Sequence, residues 1–301
     1  MGEPRYVDVD GIRTQYYEAG TGPTILLIHG GGFDYRLSIA VDDWEPLFAE
    51  LATDFHVVAF DKLGAGATDG PADDEGYTMA ATIEHAAAFV RALDLHDYIV
   101  VGNSRGALPA ARLAIDDADG VRAAVLIDSN TLPPIDPNLP KDRYFSEEIV
   151  LPDAAQVRKN LENVFSDPES RYAREYLDRK AAWRDAVPPQ HPDRPMTVEA
   201  VQRVIDLERE VFRPDVDVVR DATMQEIESG ALTQPTLVMW AYRDASAPYS
   251  LGVDLYRRMA APNPRTELHV FGAGKHLAHV EFPDRAAAVI RGFLRYYGLA
   301  E

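Results

Sequence analysis

Gly102-Asn103-Ser104-Arg105-Gly106 stands directly after the apolar run Tyr98-Ile99-Val100-Val101 and before an alanine-rich stretch from Ala107 to Ile115. The pattern reads as a strand, a sharp turn carrying a serine, and a helix. A serine hydroxyl is a poor nucleophile at neutral pH, so using it requires a tight turn that exposes it. Glycines on both sides permit the strained dihedrals and close backbone approach of such a turn. A bare Gly-x-Ser-x-Gly match also describes an ordinary turn serine; the flanking strand and helix are what favour a nucleophile elbow.

A serine of this kind needs donors for a developing oxyanion, a base, and an acid that orients the base. Thr24 to Ile28 is wholly apolar, as expected of a strand buried on both faces, and ends in His29-Gly30-Gly31-Gly32. Three consecutive glycines are compatible with a flexible loop, but they also let main-chain N–H groups face a cavity with no side chains in the way. On that reading the donors are the N–H groups of Gly31 and Arg105. Gly30, Gly32 and Asn103 line the substrate cavity, and His29 holds the loop by side-chain hydrogen bonds. Pro235 to Trp240 is another buried-strand pattern, and Asp244 lies just past its end. The next strand candidate, Thr266 to Phe271, breaks at Gly272-Ala273-Gly274-Lys275-His276. Loop aspartates often cap turns, and a lone histidine is more often a satisfied surface or core residue. Here the spacing puts Ser104, Asp244 and His276 at the ends of strands on one edge of a sheet. Asp128, after the Val121 to Ile127 strand pattern, is the competing candidate for the acid. His56, His85, His96, His191, His269 and His279 are read as structural.

On these residues the chain resembles the α/β-hydrolases nearly end to end, apart from its middle. The order Ser, Asp, His is that of this architecture and differs from the two protease orders. Phe60-Asp61-Lys62-Leu63-Gly64-Ala65-Gly66-Ala67-Thr68 is similar to the Asp-x-x-Gly-x-Gly-x-Ser turn of the superfamily and is read as structural. Within the superfamily, His29-Gly30-Gly31-Gly32, Asn103 and Thr266 to Phe271 leading to His276 resemble the meta-cleavage product hydrolases. Those enzymes cleave a carbon–carbon bond in vinylogous 1,5-diketones. This chain has Lys275-His276-Leu277 where that family usually has Gly-His-Trp, and Arg105-Gly106-Ala107 where it usually has Met-Gly-Gly. The resemblance implies an α/β-hydrolase fold, serine-triad chemistry and a small-molecule carbonyl substrate, with no cofactor or metal. Carboxylesterase or lactonase activity uses the same apparatus, and a hydrolase-derived ligand-binding protein is a third reading. The family carries a lid arginine, for which Arg203 and Arg209 are the candidates against the alternative of a solvated helix face; Arg105 and Lys62 follow them.

The elements that must position these groups follow from the remaining pattern. Tyr6 to Val9 and Arg13 to Tyr17 flank Asp10-Gly11, a hairpin signal. Met79, Ile83, Val90 and Leu93 recur at helical spacing. Alternating strands and helices imply a mostly parallel sheet with helices on both faces. The pattern stops near Leu132-Pro133-Pro134 and resumes near Ala222, with helical segments at 154–164, 171–186 and 198–212. This gives core domain 1–132, an inserted helical lid 133–222 over the carboxyl edge, and core domain 223–301.

Composition fits a soluble enzyme. With 301 residues and 46% apolar content the chain can bury a sizeable core. It has no cysteine, so disulfides and thiolate metal sites are excluded. A formal charge of -19 disfavours nucleic acid and anionic membrane surfaces as partners. The N-terminus lacks the regions of a signal peptide and no apolar run reaches membrane-spanning length, so a cytoplasmic location is expected. Assembly into a homo-oligomer is compatible with this reading.

Overall fold

A computed structural model of the chain describes residues 1–32, 40–134, 154–185 and 197–300. Eight strands form one sheet: β1 (Arg5–Val9), β2 (Ile12–Ala19), β3 (Thr24–Ile28), β4 (His56–Phe60), β5 (Tyr98–Asn103), β6 (Val121–Ile127), β7 (Thr236–Ala241) and β8 (Thr266–Phe271). Their order is β1-β2-β4-β3-β5-β6-β7-β8. β1 and β2 are antiparallel to each other and β2 to β4, while the remaining pairs are parallel. Asp10 and Gly11 both have positive φ, 52° and 88°, as the twist of the β1–β2 hairpin demands.

The helices are α1 (Ala40–Leu51), α2 (Met79–Ala92), α3 (Ala107–Asp116), α4 (Ala154–Glu162), α5 (Arg171–Asp185), α6 (Val198–Leu207), α7 (Arg213–Glu228), α8 (Tyr249–Ala260), α9 (Ala278–Glu281) and α10 (Pro283–Tyr296). Strand side chains alternate between two cores because successive residues face opposite sides of a sheet. Leu26, Ile28, Val100 and Leu126 join Phe89 of α2, Leu108 of α3 and Leu255 of α8 on one face. Ile25, Leu27, Val101 and Val125 join Trp44 of α1 and Ile290 of α10 on the other. Apolar runs buried on both faces are the reason these strands read as continuous rather than alternating.

The chain leaves β3 for β4 on one side and then returns past β3 to β5 on the other. The carboxyl ends of β3 and β5 therefore flank the switch point of the sheet, where crevices form. His29-Gly30-Gly31-Gly32 follows β3 and Ser104 follows β5.

Part of the long segment between β6 and β7, residues 161–180, packs against α1 and the loop after β8. Phe165, Ala173, Tyr176 and Leu177 bury themselves against Leu277 and Val280, which follow β8. Leu277 N–H donates to Val164 O at 3.2 Å. The Glu281 carboxylate accepts the N–H groups of Ser166 and Asp167 at 2.9 and 2.7 Å. Lys180 reaches Asp42 of α1 at 2.8 Å, with side-chain exposures of only 1% and 0%. Removing either partner of such a buried pair is costly, since it strands a desolvated charge.

Two expectations on this segment need adjusting. The helical pattern at 198–212 is not one α-helix: α6 ends at Leu207, and Glu208–Phe212 forms a π-helical turn leading straight into α7. The boundary expected at 222/223 falls inside α7, whose Val216, Met224 and Ile227 all belong to the core on the α2/α3 face. Its charges Asp217, Arg220 and Asp221 pair with one another, so the sequence there looks like an exposed insertion although the helix is core-packed. Of the sequence's candidate segments, residues 135–153 and 186–196, including His191, lie outside the described residues.

Candidate active site

Ser104 is the first residue of a 3-10 turn between β5 and α3 and holds φ at 52°, a conformation that costs an L-residue energy and is kept only where its surroundings enforce it. The enforcement comes from the flanking glycines. A Cβ on Gly102 would lie 2.2 Å from Gly106 O, and one on Gly106 would lie 2.1 Å from Ile28 O. Neither position admits a side chain, so α3 can start hard against β3 and lift Ser104 onto the edge.

His276 lies in the loop between β8 and α9. Its Nε2 is 3.1 Å from Ser104 Oγ and its Nδ1 is 2.7 Å from Asp244 Oδ2. With the proton on Nδ1 donated to Asp244, Nε2 is free to accept the serine proton. Asp244 is held in place by the N–H groups of Ser246 and Ala247, which donate to its Oδ1 at 2.6 and 3.0 Å. Burial pulls the His276 imidazole downward, but the Asp244 charge and hydrogen bond, with Asp128 and Asp43 behind them, outweigh it and raise its pKa.

That direction sets a pH dependence. The base works only when neutral, and the raised pKa keeps it protonated to higher pH than a free imidazole. The acid limb of kcat/KM is therefore expected above the ordinary histidine value of 6.5, with activity lost as pH falls through it. A limb at or below that value, measured on an activated ester, would contradict the arrangement.

Asp128, the competing acid, makes no hydrogen bond to His276. Its Oδ1 accepts Ala241 N–H at 2.7 Å, while Asp244 N–H donates to Ala241 O at 3.3 Å, so both acids grip one residue at the end of β7. Asp128 also has positive φ, 45°. Burial, and next the charge of Asp244, push its carboxyl well above the ordinary carboxylate range.

The loop after β3 is braced from behind. His29 Nδ1–H donates to Gly30 O at 2.8 Å and Nε2 accepts Lys62 N–H at 3.0 Å. Burial and the nearby Lys62 charge hold His29 neutral, as this pattern requires. Gly30 N–H donates to Asp43 Oδ2 at 2.9 Å, and Lys62 Nζ donates to Gly31 O at 2.9 Å. The Gly30 N–H is thus engaged behind the loop, and Gly31 next to it has a φ of 65°, which suits glycine. Asp61, in the turn after β4, accepts Ala40 N–H at 2.7 Å and Ala67 N–H at 3.0 Å, which makes it the structural turn residue expected.

The remaining expected contacts divide. Gly30 lies against Ser104: a Cβ there would be 3.0 Å from Ser104 Cβ. Asn103 is buried beside the elbow, its Nδ2 donating to Ile127 O at 3.4 Å and its Oδ1 lying against Gly30, where a Cβ would be 2.9 Å away. Arg203 is not at the site. It forms an ion pair with Asp74 at the surface, with both side chains more than half exposed. Arg209 is likewise exposed. The residue of that segment that does reach the elbow is Glu208, which forms a bidentate ion pair with Arg105. No sequence signal distinguished Glu208 from the other acids of the segment. Among the described residues no group of three or more histidines and acids is placed to hold a metal ion, and no helix is long and apolar enough to cross a membrane.

A sheet of this order, with a serine elbow after β5, defines an α/β-hydrolase, and the chain belongs to that family: its alpha/beta hydrolase fold model matches residues 23–283. Among individual proteins, the chain is 29% identical over 291 residues to the 2-hydroxymuconate semialdehyde hydrolase of Pseudomonas sp. (strain CF600), covering 96% of this chain and 93% of that one. It is 28% identical over 304 residues to haloalkane dehalogenase 2 of Mycobacterium tuberculosis (strain ATCC 25618 / H37Rv), with coverage of 96% and 93%. The fold is also that of the 2-hydroxy-6-oxo-6-phenylhexa-2,4-dienoate hydrolase from Rhodococcus sp. strain RHA1, with a TM-score of 0.76 at 19% identity over 97% of this chain and 98% of that one.

Proposed function

We propose that the chain is a serine hydrolase of small carbonyl compounds, and that its substrates are ring-fission products of the vinylogous 1,5-diketone type, cleaved at a carbon–carbon bond. The single observation that carries the serine chemistry is the hydrogen-bonded line Ser104–His276–Asp244 at the switch point of the sheet. The substrate class is supported by full-length similarity to a 2-hydroxymuconate semialdehyde hydrolase.

In this reaction the dienol first ketonises, its hydroxyl proton being relocated to carbon. His276 then takes the proton of Ser104, or of a water, as the oxygen attacks the distal carbonyl carbon, and the N–H groups of Gly31 and Arg105 stabilise the oxyanion. Collapse of the tetrahedral adduct breaks the carbon–carbon bond. The departing carbanion equivalent is protonated by His276, and water releases any acyl group from Ser104 with His276 again as base. The segment between β6 and β7 acts as the lid that limits water at this edge.

Dehalogenation, the activity in the name of one relative, fits the elbow poorly. A serine alkoxide displacing halide from a saturated carbon would be left as an alkyl ether, which water does not hydrolyse.

The test is a pair of substrates on one preparation. A coloured dienoate ring-fission product is expected to bleach with stoichiometric release of two carbonyl fragments, and a short-chain p-nitrophenyl ester is expected to turn over more slowly. Ester turnover with an unchanged dienoate would make the chain an esterase or lactonase. Absence of both would leave a ligand-binding protein.

A further inference from the structure

The residue after the nucleophile carries a charge that the proposed carbon–carbon bond reaction does not use. The Arg105 guanidinium is mostly buried, 18% exposed, and forms its fork with Glu208, which is 11% exposed. The second hydrogen bond, Nη2 to Oε2, is 3.1 Å. The pair lies on the oxyanion loop, since a Cβ on Gly32 would meet Arg105 Nη1 at 2.9 Å and Glu208 Oε1 at 3.0 Å. Gly30 of the same loop touches Ser104. The two glycines are two residues apart, so their Cα atoms are separated by at most about 7 Å. The fork and the nucleophile thus lie against the same short loop.

Glu208 reaches it from the π-helical turn between α6 and α7. Turns of this kind recur at functional sites because the extra residue re-aims a side chain without ending the helix. A second cation stands behind Glu208: Arg213 Nε is 3.9 Å from Glu208 Oε2. Glu208 displaced from Arg105 by another carboxylate would therefore still be attended by a cation. Lys62 is the poorer candidate. Burial, and then the neighbouring Arg105 charge, pull its pKa down to about 7, and its Nζ is spent on Gly31 O.

We propose that Arg105 is the docking point for the carboxylate of acidic substrates, and that Glu208 occupies it as an internal stand-in until a substrate acid takes its place. The fork geometry of guanidinium on carboxylate is the same for either partner. The assignment rests on Ser104 as the reacting centre and adds the part of the pocket that recognises an acid.

Benzoate and its neutral isostere benzamide test it, as competitive inhibitors of p-nitrophenyl acetate turnover and as ligands that raise the unfolding temperature. In the unmodified protein benzoate is expected to bind about tenfold more tightly than benzamide. Glu208→Gln should widen that ratio a further tenfold by removing the competitor, and Arg105→Gln should abolish it. A ratio unchanged or narrowed in Glu208→Gln overturns the proposal. If Glu208→Gln does not fold, Glu208→Asp keeps the charge on a shorter arm that holds the fork less well, and a ratio equal to that of the unmodified protein overturns it equally. The thermal readout needs no turnover, so failure to bleach a dienoate and failure to discriminate benzoate are separate results.

Discussion

Ser104→Ala is expected to reduce kcat by about four to six orders of magnitude, since removing a nucleophile eliminates the covalent route and leaves only binding and oxyanion stabilisation. Stability should change by no more than about 1 kcal/mol, because the substitution deletes one hydroxyl and leaves the Cβ that already packs on Gly30. The strained φ of 52° is shared by both residues and does not separate them. Steady-state kinetics on the ester and the dienoate, together with a thermal melt, measure both halves of this expectation. A folded variant retaining more than a few per cent of activity would show that the nucleophile is another residue.

Asp244→Asn is expected to lose about a thousandfold to ten thousandfold in kcat, and Asp128→Asn less than tenfold. Asp244 accepts the Nδ1 proton of His276 at 2.7 Å. An amide at that position can present its N–H instead, favouring the wrong tautomer and turning the imidazole's lone pair away from Ser104. Asp128 makes no hydrogen bond to His276, and its Oδ1 contact to Ala241 N–H survives the change to asparagine. The two variants should also differ in pH profile. Losing the Asp244 charge removes the main force raising the His276 pKa and moves the acid limb down, whereas Asp128→Asn removes a smaller contribution and moves it less. Reversed severities would place the acid after β6 rather than after β7.

Much of this site is legible in the chain because the signals are local. The elbow announces itself through Gly102 and Gly106, whose necessity arises from atoms a few residues away or on the next strand. The Asp10-Gly11 hairpin, the buried strand runs and the order of Ser104, Asp244 and His276 are also consequences of short-range chemistry. Propensity and pattern capture short-range chemistry well.

Other features depend on which distant segments meet. Asp128 and Asp244 both follow strands at the same edge, and the pairing of Ile127 with Met239 between β6 and β7 leaves Asp128 on the Ala241 N–H while Asp244 turns to His276. The resemblance to a family with a lid arginine makes Arg203 and Arg209 the candidates within the helical segment 198–212. Spacing identifies a face, however, and cannot say what lies opposite it. In the folded chain Arg203 meets Asp74, more than a hundred residues earlier, and Glu208 at the start of the π-helical turn is buried on Arg105 while its neighbour Arg209 is exposed. By itself the sequence determined the sheet, the elbow serine and the histidine that faces it, because each is specified by neighbours in the chain or by the period of a strand. Only the tertiary structure decided which carboxylate faces the histidine and which side chain answers Arg105, because those depend on register between strands and on which segments a hundred residues apart pack together, neither of which leaves a trace in the order of residues.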